Sequence, residues 1–112
     1  MADEADVNVK NNLNVTGPVG VVRYCLPGGN SDLDISIESG NEEMIHLVRT
    51  ETYLVIEPPS EVNPAECQFI VSNEELLTWE TNNDHWKVEI KPNNLPPETP
   101  TTVNIDLNGP GS

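Results

Sequence analysis

Few residues in this chain are of the kinds that carry chemistry unaided. The histidines are His46 and His85, and the cysteines are Cys25 and Cys67. Neither histidine belongs to a nucleophile motif: the sequence has no GxSxG, no HExxH and no glycine-rich phosphate loop. Two carboxylates at the right separation hydrolyse glycosides. With 19 Asp and Glu residues, however, some pair falls close by chance, so closeness alone argues for nothing. The expectation is no enzyme. Asp32, Asp34 and Glu38 share one strand face, and Asn82-Asn83-Asp84 offers further oxygens in a loop. Calcium needs about six to eight converging oxygens, usually from a loop with a DxDxDG pattern, which is missing. Alternating acids on a strand read as its solvated face, so neither a metal nor a cofactor is expected.

Cys25 and Cys67 lie in no CxxC and beside no clustered histidines, which argues against zinc. As a disulfide they would contribute about 4 kcal/mol by closing the loop between them, in an oxidising compartment. Unpaired, they are small buried hydrophobes.

The best candidate for a contact site is a hairpin loop. Trp79 and Trp86 flank Glu80-Thr81-Asn82-Asn83-Asp84-His85. An aromatic ring beside amide, carboxylate and imidazole groups suits a sugar or a peptide, and aromatic anchors with polar rims mark protein interfaces. Asn82, Asn83, Asp84, His85 and Trp86 are therefore the candidate binding residues. If the strands pair across Asn82-Asn83, Trp79 stands opposite or nearly opposite Trp86 and the two share a face. Leu77 with Trp79, and Val88 with Trp86, favour the inward face and leave His85 pointing outward.

The elements that position these residues have a period of two. Val7, Val9, Leu13 and Val15 share one parity, with Asn8, Asn12 and Asn14 on the other. Residues 19–26 form a β-rich run closed by Pro27-Gly28-Gly29-Asn30. Leu33, Ile35 and Ile37 alternate with acids and Ser36, before Gly40-Asn41 turns the chain. Residues 44–49 and 53–56 are denser, as for central strands covered on both sides. Cys67, Phe69 and Val71 alternate with polar neighbours, as do Trp86, Val88 and Ile90, and Val103, Ile105 and Leu107. Ser72 and Glu75 resemble a capping box, which suggests one helical turn before Trp79. The run from Pro92 to Pro100 reads as an extended connection across an end of the fold. Prolines exclude long helices.

About seven or eight strands at roughly 8–12-residue spacing describe an all-β chain, a small antiparallel sandwich of immunoglobulin-like or jelly-roll-like kind. The resemblance is to sandwich domains in general. The immunoglobulin arrangement of a core Trp between two cysteines is absent, since both tryptophans follow Cys67. The 112 residues make one domain, with 1–6 and 108–112 as flexible tails.

Five Lys and Arg against 19 Asp and Glu give a net charge of −14. Such a chain has too few cations to displace counterions from nucleic acid or to bind anionic lipid. No apolar stretch approaches the roughly 20 residues that span a bilayer. The acidic first residues lack the basic start and apolar run of a signal peptide, so the chain as written reads as cytoplasmic, or as a mature extracellular domain. The functional expectation is a non-enzymatic binding or assembly module. Its partner is a protein or a second copy, met at end loops or at sheet edges formed by residues 7–15 and 103–107. Carbohydrate binding at the 79–86 hairpin is the alternative, and an acidic mimic of nucleic acid is a third reading.

Overall fold

Among the described residues, nine strands form where the period-two pattern lies. They are β1 (Glu4–Asn12), β2 (Val19–Cys25), β3 (Asn30–Ile37), β4 (Glu42–Val48), β5 (Thr52–Glu57), β6 (Gln68–Val71), β7 (Leu77–Thr81), β8 (Trp86–Ile90) and β9 (Thr102–Asn108). This computed structural model describes residues 3–92 and 101–109. The extended connection expected between Pro92 and Pro100 lies almost wholly outside the described residues. Two sheets face each other, one ordered β4-β1-β9-β6 and the other β3-β2-β5-β8-β7. The sandwich is as expected, with nine strands in place of seven or eight.

Each inward parity supplies one layer of the core. Val7, Val9, Ile45, Leu47, Val103, Ile105 and Leu107 come from the four-stranded sheet, and Val19, Val21, Leu54, Ile56, Trp86 and Val88 from the five-stranded one, all essentially inaccessible to water. The denser run of β5 is covered on one side only. Leu54 and Ile56 enter the core, whereas Tyr53 and Val55 occupy a half-buried outer face.

Three expectations about the chain's ends are corrected. Glu4, Ala5 and Asp6, expected in a tail, open β1, and Asn108 closes β9. The first and last strands are not edges. They lie side by side in the middle of their sheet. They also run parallel, in register from Asp6↔Thr102 to Asn12↔Asn108, where an antiparallel sandwich was expected. The reason is that β1 finds partners on both sides: β4 antiparallel from Glu4↔Val48 to Lys10↔Glu42, and β9 parallel.

Asn11 takes an inward position of β1 and is fully buried. Its Nδ2 donates to the Ile37 carbonyl at 2.8 Å, and its Oδ1 accepts from the Leu13 amide at 2.9 Å. The side chain thereby satisfies backbone groups where the chain leaves the ladder. Gly40 turns β3 into β4 with φ at +87°, a region that favours glycine, and its amide donates to the Asn11 carbonyl at 2.7 Å. The turn before β7 exists as a 3-10 turn over Glu74–Leu76, but no capping box forms. Asn73, in a left-handed conformation, stands at its start without a side-chain cap.

Candidate functional site

The hairpin expected to carry the site forms, and its register decides what it can do. Pairs run from Leu77↔Ile90 to Thr81↔Trp86, so Trp79 opposes Val88. The loop is four residues, 82–85, and not the two that pairing across Asn82-Asn83 would leave. Asn82 holds it: its Oδ1 accepts from the amides of Asp84 at 2.7 Å and His85 at 2.9 Å, and its own amide donates to the His85 carbonyl at 3.2 Å. This is the side-chain turn for which asparagine is suited. The tryptophans are diagonal neighbours on the inward face. Trp86 is 0% exposed and stacks on Phe69 at 5.6 Å between centroids, while Trp79, half-buried, tilts against the same ring at 5.7 Å.

Trp86 is therefore core, and its assignment as a contact residue is corrected. Its indole N–H meets no acceptor among the described residues. Asn82 is engaged in shaping its own loop. Asn83 and Asp84 are exposed at the tip, and His85 is half-buried. Two pockets among the described residues are lined by neither Trp86 nor His85. A groove of about 600 Å³ instead collects Glu74, Glu75, Leu77, Thr78, Trp79 and Lys91. Leu77 and Lys91 are at the end of the β7–β8 pair away from the loop.

A different cluster stands on the outer face of the five-stranded sheet. Register pairing brings Tyr24 of β2 beside Tyr53 of β5, and their rings stack at 5.2 Å with planes 18° apart. Lys87 of β8 places Nζ 4.7 Å from the Tyr53 ring centroid, within cation–π range. Beside them, Asp34, Val22, Val55, Lys87 and Glu80 follow one another across β3, β2, β5, β8 and β7. Stacked phenols with flanking valines and mixed charges can bury apolar area and still offer hydroxyl and ammonium groups to a partner. The sequence signal was present: Val22, Tyr24, Tyr53 and Val55 are apolar on the parity that faces away from the core.

His46 stands between two carboxylates. On the outer face of β4, its Nδ1 lies 2.9 Å from Asp6 Oδ1 and its Nε2 lies 2.8 Å from Glu4 Oε1. Ionised carboxylates only accept, so this pairing favours the imidazolium, which carries a proton on each ring nitrogen. Asp6 and then Glu4 hold its pKa above the ordinary histidine value. The His46 carbonyl accepts from Arg23 Nη1 at 2.8 Å, and Arg23 Nε donates to Asp32 at 2.8 Å. Asp32 is the residue left over at a register shift, between Arg23↔Leu33 and Tyr24↔Ser31. The Arg23 guanidinium holds its carboxyl below the usual range. These groups form a polar seam from β3 and β2 across to β4 and β1.

The cysteines do not pair; both are free. Cys25 ends β2 in one sheet and Cys67 precedes β6 in the other, each with a local acceptor. A hydrogen bond to Asp32 raises the Cys25 thiol pKa, and the Cys67 thiol donates to the Asn63 carbonyl at 3.4 Å, its pKa raised by burial and then by Glu66. Among the described residues, no three His, Cys, Asp or Glu side chains form a metal-binding group. No described helix is long and apolar enough to cross a membrane.

No protein-family model matches the chain, and no curated protein does either. Solved structures do match. A bacterial adhesin from Mobiluncus mulieris, containing intramolecular disulfide, isopeptide and ester bond cross-links, is similar in two crystal forms, with TM-scores of 0.62 and 0.60 at 12% and 11% identity. The match covers 96% of this chain and 41% of the adhesin, so this chain spans about two fifths of its length. At that identity the likeness is one of fold.

Proposed function

We propose that this chain is a non-enzymatic binding module of a longer extracellular protein, meeting a protein partner through the outer face of its five-stranded sheet. The observation that carries this reading is the Tyr24–Tyr53 stack beside Lys87. The chain has five aromatic residues in all, Tyr24, Tyr53, Phe69, Trp79 and Trp86, and two of them stand where the core does not use them. Tyrosine is among the residues that carry most energy at protein interfaces. A net charge of −14 favours a partner whose contact surface is basic, and speeds its association. Likeness to an adhesin supports an extracellular setting over the cytoplasmic one expected from the sequence, and supports a module within a longer chain.

Carbohydrate is the second reading. The exposed amide and carboxylate of Asn83 and Asp84 favour it, with the half-buried His85 beside them.

The test is a panel of purified extracellular-matrix proteins and a glycan array, probed with the wild type, with Tyr24→Ala/Tyr53→Ala, and with Asn83→Ala/His85→Ala. The reading expects a protein ligand whose binding is lost in the tyrosine variant and kept in the loop variant, both variants retaining a β-type circular dichroism spectrum. Glycan binding lost only in the loop variant would overturn it.

A further inference from the structure

The parallel pairing of β1 with β9 fixes how the domain meets a pull on its ends. Neighbouring parallel strands start at one end of a sheet and finish at the other. The chain therefore enters at the Glu4 end of β1 and leaves at the opposite end, beyond Asn108 of β9. A force that stretches the chain draws β1 one way along its axis and β9 the other. The seven register pairs, Asp6↔Thr102 through Asn12↔Asn108, are then loaded together, across their hydrogen bonds. We infer that this domain is a load-bearing element, in which the parallel β1–β9 pair is a shear clamp that resists tension along the chain.

Several features strengthen that pair. β1 is held on its other side by β4 over seven further pairs, so it cannot slide without shearing both ladders. β9 is held by β6 over four pairs, and beyond them Ser72 and Asn104 exchange two bonds of 2.9 Å, one to the Ser72 hydroxyl and one to the Asn104 carbonyl. Side chains lock the register as well. Val7 beside Val103 and Val9 beside Ile105 are fully buried, with Asn8 beside Asn104 and Lys10 beside Asp106 on the outer face. A slip of one residue would turn Asn8 and Lys10 into the core. The start of β1 is secured where force enters. The Arg49 amide donates to the Asp3 carbonyl at 2.7 Å, Arg49 pairs with the Asp3 carboxylate at 3.4 Å, and the Asp6 amide donates to the Thr101 carbonyl at 2.8 Å.

A different pulling direction removes the effect. β1 and β4 are antiparallel, and the turn after Val48 lies beside Asp3. Force applied between residue 1 and Thr50 would part β1 from β4 one pair at a time, beginning at Glu4↔Val48.

The inference rests on the proposed setting, in which the chain is held at both ends, but its test needs no partner. In single-molecule force spectroscopy the domain would be pulled between residues 1 and 112, and separately between residue 1 and a Thr50→Cys attachment, with Cys25→Ala and Cys67→Ala in both. Forced unfolding follows the unfolding barrier, so the two directions compare barriers on one fold. The end-to-end direction is expected to unfold at severalfold higher force. Equal forces, or a weaker end-to-end response, would overturn the clamp and leave the tyrosine-face reading to its own binding assay.

Discussion

Asn11 and Trp86 have polar atoms in the core, and the two differ in what they find there. Asn11 gives each of its polar atoms a partner, the Ile37 carbonyl and the Leu13 amide, and it holds the chain where β1 ends. Trp86 contributes area and shape: it lies fully buried on Phe69, while Trp79 shares that ring from a half-exposed position. The two tryptophans are thus expected to behave differently when truncated. Trp86→Ala should cost about 3–5 kcal/mol, as a large-to-small change in a closed core, and Trp79→Ala distinctly less. Urea denaturation of both variants checks this, and equal losses would contradict the unequal burial of the two rings. Trp86 was legible as part of an inward alternation and yet was counted among loop contacts. The loop length differs as well: an Asn-Asn sequence suggests a two-residue turn, whereas Asn82 spends its side chain on Asp84 and His85 and closes four residues. Asn11 was missed because its type suggests solvent, although its parity with Val7 and Val9 points inward.

Among the elements, the β1–β4 pair carries an ionic fastening that depends on pH. His46 of β4 lies between Glu4 and Asp6 of β1, and Arg23, itself paired with Asp32, reaches its carbonyl from the other sheet. The folded state raises the His46 pKa. A group with a raised folded pKa stabilises fully below its unfolded value, about pH 6.5 for histidine, and the contribution is lost as pH rises through the folded value. The melting-temperature gap between wild type and His46→Gln should therefore be largest in mildly acidic solution and close on the alkaline side. A gap that stays constant or widens with pH would contradict this fastening. Strand positions and the two-sheet architecture were readable from alternation, because one buried face imposes a period of two. Strand order was not, since alternation records which side of a strand is covered and not which strand lies beside it. This is why residues 7–15 and 103–107 read as edges and prove to be the sheet's centre. The tyrosine face was hidden for a related reason. Tyr53 and Val55 thicken an apolar run, and such a run reads as cover on both sides.

For the molecule as a whole, five cations against 19 acids leave an acidic surface, and the fold places each cation with purpose. Arg23 and Arg49 pair with Asp32 and Asp3, Lys87 caps Tyr53, Lys91 lines the Trp79 groove, and Lys10 stands in register between Glu42 and Asp106. The excess negative charge suits the basic partner proposed above, while β1 and β9 point their outer ends to opposite ends of one continuous pair of strands. The proposed binding face and the inferred load path thus fall on different sheets of the sandwich. The load path depends on one topological claim: the first and last strands form the parallel centre of the four-stranded sheet. Native-state hydrogen exchange addresses it directly, since amides in a sheet's interior open only with large-scale unfolding and edge amides exchange by local opening. The account expects the amides of Val7, Val9, Val103 and Ile105 to be among the slowest in the domain, with those along β3 and β7 among the fastest. Rapid exchange throughout 103–107, as an open edge strand would show, would contradict it.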